Sequence, residues 1–85
     1  MPPRVRVVLF GPARAAVRRS ALEWPCPRSG LSVPALVRGL SKTYPTLAPI
    51  LRTSRFVRNG SYLRGTSGRL RPGDEIAVHP PFSGG

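Results

Sequence analysis

The residues with the most distinctive chemistry lie in the C-terminal segment 79–85, His-Pro-Pro-Phe-Ser-Gly-Gly. Pro80 and Pro81 each restrict a φ angle and favour an extended exit from a preceding strand. Gly84 and Gly85 have no side chain, so this segment can enter a narrow tunnel in a partner protein. The segment therefore predicts a tail that is presented to another protein.

The reactive group of such a tail is the α-carboxylate of Gly85. A free carboxylate is a poor acyl donor, so its use requires a separate enzyme that joins it to AMP as a mixed anhydride. A sulfur or amine nucleophile then displaces the AMP. The tail thus predicts carrier chemistry in which partner proteins supply the catalysis, and we expect no enzymatic activity from the chain alone.

Other groups that could support catalysis or bind a metal are scarce. The carboxylates are Glu23, Asp74 and Glu75, and there is one cysteine, Cys26, and one histidine, His79. A structural zinc site needs about four ligands, so we expect no metal site. No carboxylate or nucleophile is placed to orient His79, which we expect on the surface or in packing. We expect Cys26 to be an incidental free thiol.

Length and charge limit the class of protein. A chain of 85 residues predicts one small domain. The 14 basic residues against 3 acidic ones give a net charge of +11, but they are scattered, and 13 are arginine once Lys42 is subtracted from 14. Without a basic run, we expect no nucleic-acid partner, although a small RNA-binding module is an alternative that the charge permits. No stretch matches the length of a membrane span, so we expect a cytoplasmic protein.

The elements that position the tail follow from hydrophobic patterning. Alternation over residues 4–10 predicts a strand, and residues 20–24 predict a second strand antiparallel to it, with a helix-permissive segment between. The main helix is expected to begin after Ser32, a good N-cap, with Pro34 in its first turn, and to end near Tyr44, before a proline. An apolar turn follows it.

Three further segments complete the expected domain. Residues 55–58 predict a strand, Asn59-Gly60 predicts a hairpin turn, and residues 61–63 return from it. A turn over residues 71–74 then leads into a last strand over residues 75–78. The order predicts an α+β fold, with one main helix on one face of a small sheet. We expect the domain to span residues 1–79 and the extended tail residues 80–85.

The end of the chain resembles a known family. Residues 71–85, RPGDEIAVHPPFSGG, are similar to the GDE(V/I)AxxPPxSGG end of the MoaD/ThiS-type sulfur carriers, which include the small subunit of molybdopterin synthase. Residues 7–14 resemble the family's first strand and the start of its first helix. Residues 31–36 with Tyr44-Pro45 resemble its main helix, and residues 57–62 resemble its central hairpin. The resemblance implies a ubiquitin-like β-grasp fold with a small mixed sheet. It also implies a structural role for Gly73-Asp74-Glu75, which would set the turn before the last strand.

The resemblance implies a specific use of the tail. Gly85 would be adenylated by an E1-like, ATP-dependent enzyme and converted to a thiocarboxylate. Its sulfur would pass to cyclic pyranopterin monophosphate, and two rounds would build the dithiolene of molybdopterin. The chain itself would bind no cofactor, since the activating enzyme uses the ATP. The partner would be the large catalytic subunit of the synthase, in a heterotetramer of two small and two large subunits.

The resemblance also implies contacts with these partners. The tail residues expected in the partner's tunnel are Pro80, Pro81, Phe82, Ser83 and Gly84, and Phe10 and Val78 are expected at the partner interface. Alternative functions are those of sibling carriers, which feed thiazole synthesis or tRNA thiolation or conjugate to lysine as protein modifiers. The adjacent prolines and Ser83 favour the synthase subunit over these siblings.

Overall fold

The computed structural model describes residues 2–65 and 67–81, which form seven strands and three α-helices. The strands are β1 Arg4–Leu9, β2 Ala21–Pro25, β3 Leu31–Ser32, β4 Arg55–Arg58, β5 Ser61–Tyr62, β6 Arg69–Leu70 and β7 Glu75–His79. The helices are α1 Gly11–Val17, α2 Val33–Thr43 and α3 Ala48–Thr53, and a 3₁₀ turn Pro45–Leu47 links α2 to α3.

Five of the strands form one mixed sheet, in the order β2-β1-β7-β4-β5. Strand β7 lies in its centre, parallel to β1 and antiparallel to β4. The expected antiparallel pairs β1–β2 and β4–β5 are both present. Helix α2 is the longest helix, with Leu36 and Leu40 fully buried. The predicted α+β class and β-grasp fold are therefore confirmed.

Helix α2 begins as its sequence predicts. Ser32 has an extended backbone, and its Oγ accepts a hydrogen bond from the Ala35 backbone N–H at 3.2 Å. This hydrogen bond satisfies one of the amide groups that the first turn of a helix leaves without a partner. Pro34 follows in the first turn, where a missing N–H costs nothing.

Replacing this cap should have a measurable cost. We expect Ser32→Ala to lower the free energy of unfolding by about 1 kcal/mol, because the Ala35 N–H loses its acceptor. Urea unfolding followed by circular dichroism measures the difference. Ser32→Asp is the matched control, since a carboxylate can cap the same N–H and should retain the stability. Equal loss in both variants would show that the cap does not account for the effect.

Three features were not expected from the sequence. The helix-permissive segment forms α1 as expected, but the helix begins at Gly11, whereas Gly11-Pro12 was expected only to stop the first strand. The apolar turn after the main helix is a 3₁₀ turn followed by α3. Strands β3 and β6 form a separate two-stranded sheet, through the antiparallel partners Leu31 and Leu70.

Two further sequence expectations concern the boundary between the domain and the tail and the presence of a membrane-spanning helix. Strand β7 ends at His79, and the division into a domain over residues 1–79 and a tail over residues 80–85 stays a prediction. Within the described ranges, no helix combines the length and the apolar character that a bilayer crossing requires.

Candidate functional site

The end of β7, after which the expected tail begins, lies between β1 and β4. In the β1–β7 register Leu9 is the partner of Val78, and in the β4–β7 register Arg55 is the partner of His79. The chain therefore leaves the sheet beside the end of β1 and the start of β4. The expected tail residues Pro80 and Pro81 follow directly, at what we call the tail exit. The other expected site residues, Phe82, Ser83, Gly84 and Gly85, lie outside the described residues, and their roles stay predictions.

The turn that leads into β7 is a type II turn over residues 71–74. The Asp74 N–H donates to the Arg71 carbonyl at 3.0 Å, and Gly73 has a φ of +91°, which favours glycine at the third position of this turn. The Gly73 N–H donates to the Arg4 carbonyl at 2.8 Å, and the Arg6 N–H donates to the Asp74 carbonyl at 2.9 Å. The turn is thus joined to β1, which sets where β7 starts.

The side chain of Asp74 joins this turn to the β4–β5 hairpin. Its Oδ2 accepts from the Arg71 N–H at 2.8 Å and from Arg58 Nε at 3.1 Å, while its Oδ1 accepts from Asn59 Nδ2 at 3.0 Å. Partial burial acts to raise the pKa of Asp74, but the hydrogen bonds from Arg71 and Asn59 and the Arg58 guanidinium outweigh it and lower the pKa. The ionised carboxylate is therefore part of a hydrogen-bond network that sets the position of β7, which we call the Asp74 network.

Asn59, in the turn of the β4–β5 hairpin, adds further hydrogen bonds to the Asp74 network. Its Oδ1 accepts from the Glu75 N–H at 2.9 Å, and its own N–H donates to the Glu75 carbonyl at 2.9 Å. Asn59 and Gly60 have φ values of +46° and +87°, the positive values that a tight hairpin turn requires. One asparagine thus forms the hairpin turn and fixes the first residue of β7.

Three rings surround the tail exit. The His79 ring lies 4.9 Å from the Phe10 ring and 6.2 Å from the Tyr62 ring, measured between centroids. Phe10 is 45% exposed and Tyr62 is 63% exposed, although large apolar surfaces are normally buried. We call Phe10, Tyr62 and His79 the aromatic patch. The Arg55 guanidinium lies over the Tyr62 ring, 5.8 Å from its centroid, in a cation–π contact.

The aromatic patch and the tail exit share one open cavity of about 460 Å³. Its lining comes from α1 and the residue before it, from α3, β4 and β5, and from the end of β7 and the two prolines after it, and comprises Phe10, Gly11, Thr53, Arg55, Tyr62, His79, Pro80 and Pro81. Exposed rings and a guanidinium therefore lie at the place where the expected tail begins. This arrangement suits protein docking, because aromatic and arginine side chains are enriched at the centres of interfaces.

The two expected interface residues differ in accessibility. Phe10 is exposed, as a contact residue must be, whereas Val78 is fully buried. The expectation for Val78 is wrong, because alternation along β7 turns its side chain into the core and the His79 side chain to the opposite face. Sequence reasoning also missed Arg55 and Tyr62. Asn59-Gly60 predicts a hairpin that pairs Tyr62 with Val57, and this pairing could have placed Tyr62 beside β4.

The single cysteine lies away from this site. Cys26 is buried, and its Sγ lies 3.6 Å from the carbonyl oxygens of Pro27 and Leu70. Burial raises the pKa of the thiol, and the Asp74 carboxylate adds to this effect. The thiol form, which is a weak nucleophile, is therefore favoured. Among the described residues, no cluster of three or more His, Cys, Asp or Glu side chains is arranged to hold a metal ion.

The acidic side chains of the chain lie together at the other end of the sheet. Asp74 pairs with Arg58 at 3.1 Å, and Glu75 lies 4.0 Å from Arg6. Glu23 is the register partner of the same Arg6 on the neighbouring strand. Since these are all the Asp and Glu residues, none of them lies at the tail exit.

Comparisons with known proteins agree with this architecture. The model of the ThiS family matches residues 7–85. No curated protein matches the chain in sequence. The small archaeal modifier protein 1 of Methanosarcina acetivorans, a solved structure, is 25% identical with a TM-score of 0.79, over 100% of this chain and 99% of that chain.

Two further solved structures are similar in fold. A putative molybdopterin converting factor subunit 1 from Pyrococcus furiosus is 22% identical, with a TM-score of 0.78, over 94% of this chain and 99% of that one. In a complex of subunits 1 and 2 of the molybdopterin-converting factor from Helicobacter pylori 26695, the matching chain is 22% identical, with a TM-score of 0.68. That match covers 96% of this chain and 99% of the other.

Proposed function

The chain belongs to the ThiS family of ubiquitin-like sulfur carriers, and from this premise we propose that it is the sulfur-carrying small subunit of molybdopterin synthase. In this proposal an E1-like enzyme joins the α-carboxylate of Gly85 to the AMP portion of ATP and releases pyrophosphate. A sulfur nucleophile then attacks the acyl carbon and AMP leaves, so that Gly85 carries a thiocarboxylate. Each thiocarboxylate delivers one sulfur to cyclic pyranopterin monophosphate and is hydrolysed back to the Gly85 carboxylate, so two rounds form the dithiolene.

The observation that carries the proposal is the match of the family model through the whole tail, to residue 85. The Asp74 network supports the proposal, because these hydrogen bonds hold the start of β7 in place and so fix where the tail leaves the sheet. The chain itself needs no catalytic group. Its described part provides a rigid base for the tail, and the partners provide ATP and the acceptor.

The proposed partner for transfer is the large catalytic subunit, in an assembly of two small and two large subunits. Support comes from the aromatic patch, which places two exposed rings, Phe10 and Tyr62, directly beside Pro80 and Pro81. Burying these rings against a partner would remove apolar surface from water and hold the tail in line with the partner's tunnel. The fold likeness to subunit 1 in the Helicobacter pylori complex is consistent with such a partner.

The aromatic patch gives a direct test of this interface. We expect Phe10→Ala to weaken binding to the large subunit about tenfold, because a central aromatic contact is lost. Isothermal titration calorimetry measures the affinity. Arg38→Ala, on the exposed face of α2, is the control and should bind as the wild type does. Equal affinity of the Phe10→Ala and wild-type chains would place the interface elsewhere.

The function itself is tested by intact mass. The chain is incubated with ATP, a sulfur donor and a matching E1-like enzyme, beside a variant that lacks Gly85. We expect the wild-type chain to gain the mass of one oxygen replaced by one sulfur, and the variant to gain none. Adding the large subunit and cyclic pyranopterin monophosphate should then return the original mass and yield molybdopterin. Absence of the gain with a competent enzyme would contradict the sulfur-carrier proposal.

A second candidate function is that of a protein modifier. It is favoured by the likeness to the small archaeal modifier protein 1, at 25% identity and over the full chain. In that case an amine, rather than sulfur, displaces AMP, and Gly85 forms an isopeptide bond with a lysine. Tandem mass spectrometry of lysine-containing peptides after incubation with the activating enzyme separates the two functions. Carriers for thiazole synthesis or tRNA thiolation would form the thiocarboxylate but would not yield molybdopterin.

A further inference from the structure

The outer edge of β2 has no strand partner among the described residues, because β2 is the first strand of the five-stranded sheet. On its inner side the Ser20 carbonyl accepts from the Leu9 N–H at 2.9 Å, and Leu22 is the register partner of Val7. Backbone groups of an antiparallel strand point alternately to its two sides. The N–H and C=O groups of Ala21 and Glu23 therefore point outward.

A basic cavity adjoins the first residue of this edge. Three exposed arginines, Arg14, Arg18 and Arg19, line it together with Ala15, Ser20 and Ala21, and its volume is about 610 Å³. The three acidic side chains, Glu23, Asp74 and Glu75, lie near Arg6 and Arg58 instead. Three guanidinium groups therefore line the cavity, and no Asp or Glu side chain is among its described lining residues.

The other end of the same edge is apolar. A small pocket of about 160 Å³ is lined by Pro2, Pro3, Arg4, Glu23, Trp24 and Pro25. The Trp24 ring is half-buried against Gly39 of α2, so its position is fixed by packing. Pro25 ends the strand without an N–H to donate. The edge of β2 thus has a basic end, a central pair of residues with outward backbone groups, and an apolar end.

We propose that this edge binds an extended acidic segment of a partner protein as a sixth strand of the sheet. Its backbone pairs with Ala21 and Glu23, its carboxylates meet the three arginines of the basic cavity, and an apolar side chain occupies the pocket beside Trp24. The site is two strands away from β7. A partner on β2 therefore leaves the tail exit accessible.

A protein segment fits this edge better than a nucleic acid does. A sugar–phosphate backbone cannot pair with alternating N–H and C=O groups, whereas a β-strand pairs with them. The Glu23 carboxylate also lies at the middle of the edge, where it would repel a phosphate chain that ran along it. The arginines alone would accept either ligand, so the backbone edge and Glu23 decide between them.

The probe is a short synthetic peptide with a run of β-branched residues, three aspartates at one end and a leucine at the other. It is titrated into the ¹⁵N-labelled full chain at near-physiological salt. We expect saturable shifts that are largest at the Ala21 and Glu23 amides. The double variant R14Q/R19Q should bind about tenfold more weakly, since two charge contacts are lost. The control R38Q/R52Q removes the same charge elsewhere and should keep the wild-type affinity.

Two further ligands make the proposal falsifiable. A peptide of the same sequence with alternate backbone amides N-methylated keeps every side chain but cannot pair as a strand, and we expect it to lose binding. Retained binding of the methylated peptide would overturn strand addition. An equal loss of peptide affinity in R14Q/R19Q and R38Q/R52Q would overturn the role of the basic cavity and with it the proposal. A single-stranded RNA that bound more tightly than the peptide and shifted the same amides would assign the edge to nucleic acid. Failure of the acidic peptide to bind would also overturn the proposal.

Discussion

Gly84→Val is expected to lower sulfur transfer by about 100-fold or more, while leaving the unfolding temperature unchanged. The proposed partner tunnel accepts backbone without side chains, and a β-branched residue both widens the tail and stiffens it. A small displacement of the acyl carbon from the reacting groups of the partner is enough for a loss of this size. The measurement is the rate at which the thiocarboxylated chain converts cyclic pyranopterin monophosphate with the large subunit.

Two control variants define what this loss means. Ala15→Val adds comparable bulk on the exposed side of α1 and should transfer sulfur at the wild-type rate. Gly84→Ala adds a single Cβ and should fall between the wild type and Gly84→Val. The unfolding temperature of each variant separates an effect on the tail from an effect on the fold. A Gly84→Val chain that transfers sulfur at the wild-type rate would contradict a narrow tunnel.

Asp74→Ala is expected to lower the free energy of unfolding by about 3 kcal/mol, the largest effect on stability that we predict for a polar residue. The Asp74 side chain is only 14% exposed, and its loss removes the acceptor of the Arg71 N–H, of Arg58 Nε and of Asn59 Nδ2. Urea unfolding followed by circular dichroism measures the change.

Glu75→Ala is the matched control for this prediction. It removes a neighbouring carboxylate with the same charge, but that side chain is 56% exposed and lies 4.0 Å from Arg6, so the change should cost little. Sulfur transfer by the Asp74→Ala chain should also fall, because Asp74 fixes the start of β7. Equal stability of the Asp74→Ala and Glu75→Ala chains would contradict the structural role of Asp74.

The stabilisation by Asp74 should also depend on pH. Its pKa is lowered in the folded chain, so the folded state binds this proton less readily than the unfolded state does. The stabilising contribution is therefore fully present above the pKa of the unfolded chain and is lost as the pH falls through the folded pKa. We expect the stability difference between the wild type and Asp74→Ala to narrow under acid. A difference that stays constant from neutral to strongly acidic pH would contradict this assignment.

Much of the fold could be predicted because its signals are local. The cap at Ser32, the positive φ values at Asn59 and Gly60 and the turn through Gly73 each depend on the conformational preferences of a few adjacent residues. The strands β1, β2, β4 and β7 carry enough alternating or apolar residues to be recognised. The proposed tail chemistry likewise depends on adjacent residues, since it needs only prolines, glycines and a carboxylate.

Other elements depend on residues that are distant in sequence. Strands β3 and β6 have two residues each, too few for any periodicity, and they form only because Leu31 and Leu70 meet in the folded chain. Helices α1 and α3 are short, and helices of this length need tertiary packing to persist. Their boundaries therefore could not be derived from propensity alone.

The order of the main elements and the proposed carrier role of the tail could be inferred from local sequence, whereas the neighbours of the tail exit depend on how the strands pair. Phe10, Tyr62 and His79 come from separate segments and meet because β1 and β4 pair with β7, and β5 pairs with β4. The same registers place Val78 in the core and leave the edge of β2 open beside three arginines. Strand register is set by packing across the whole sheet, so these neighbours follow from the fold and not from any local pattern.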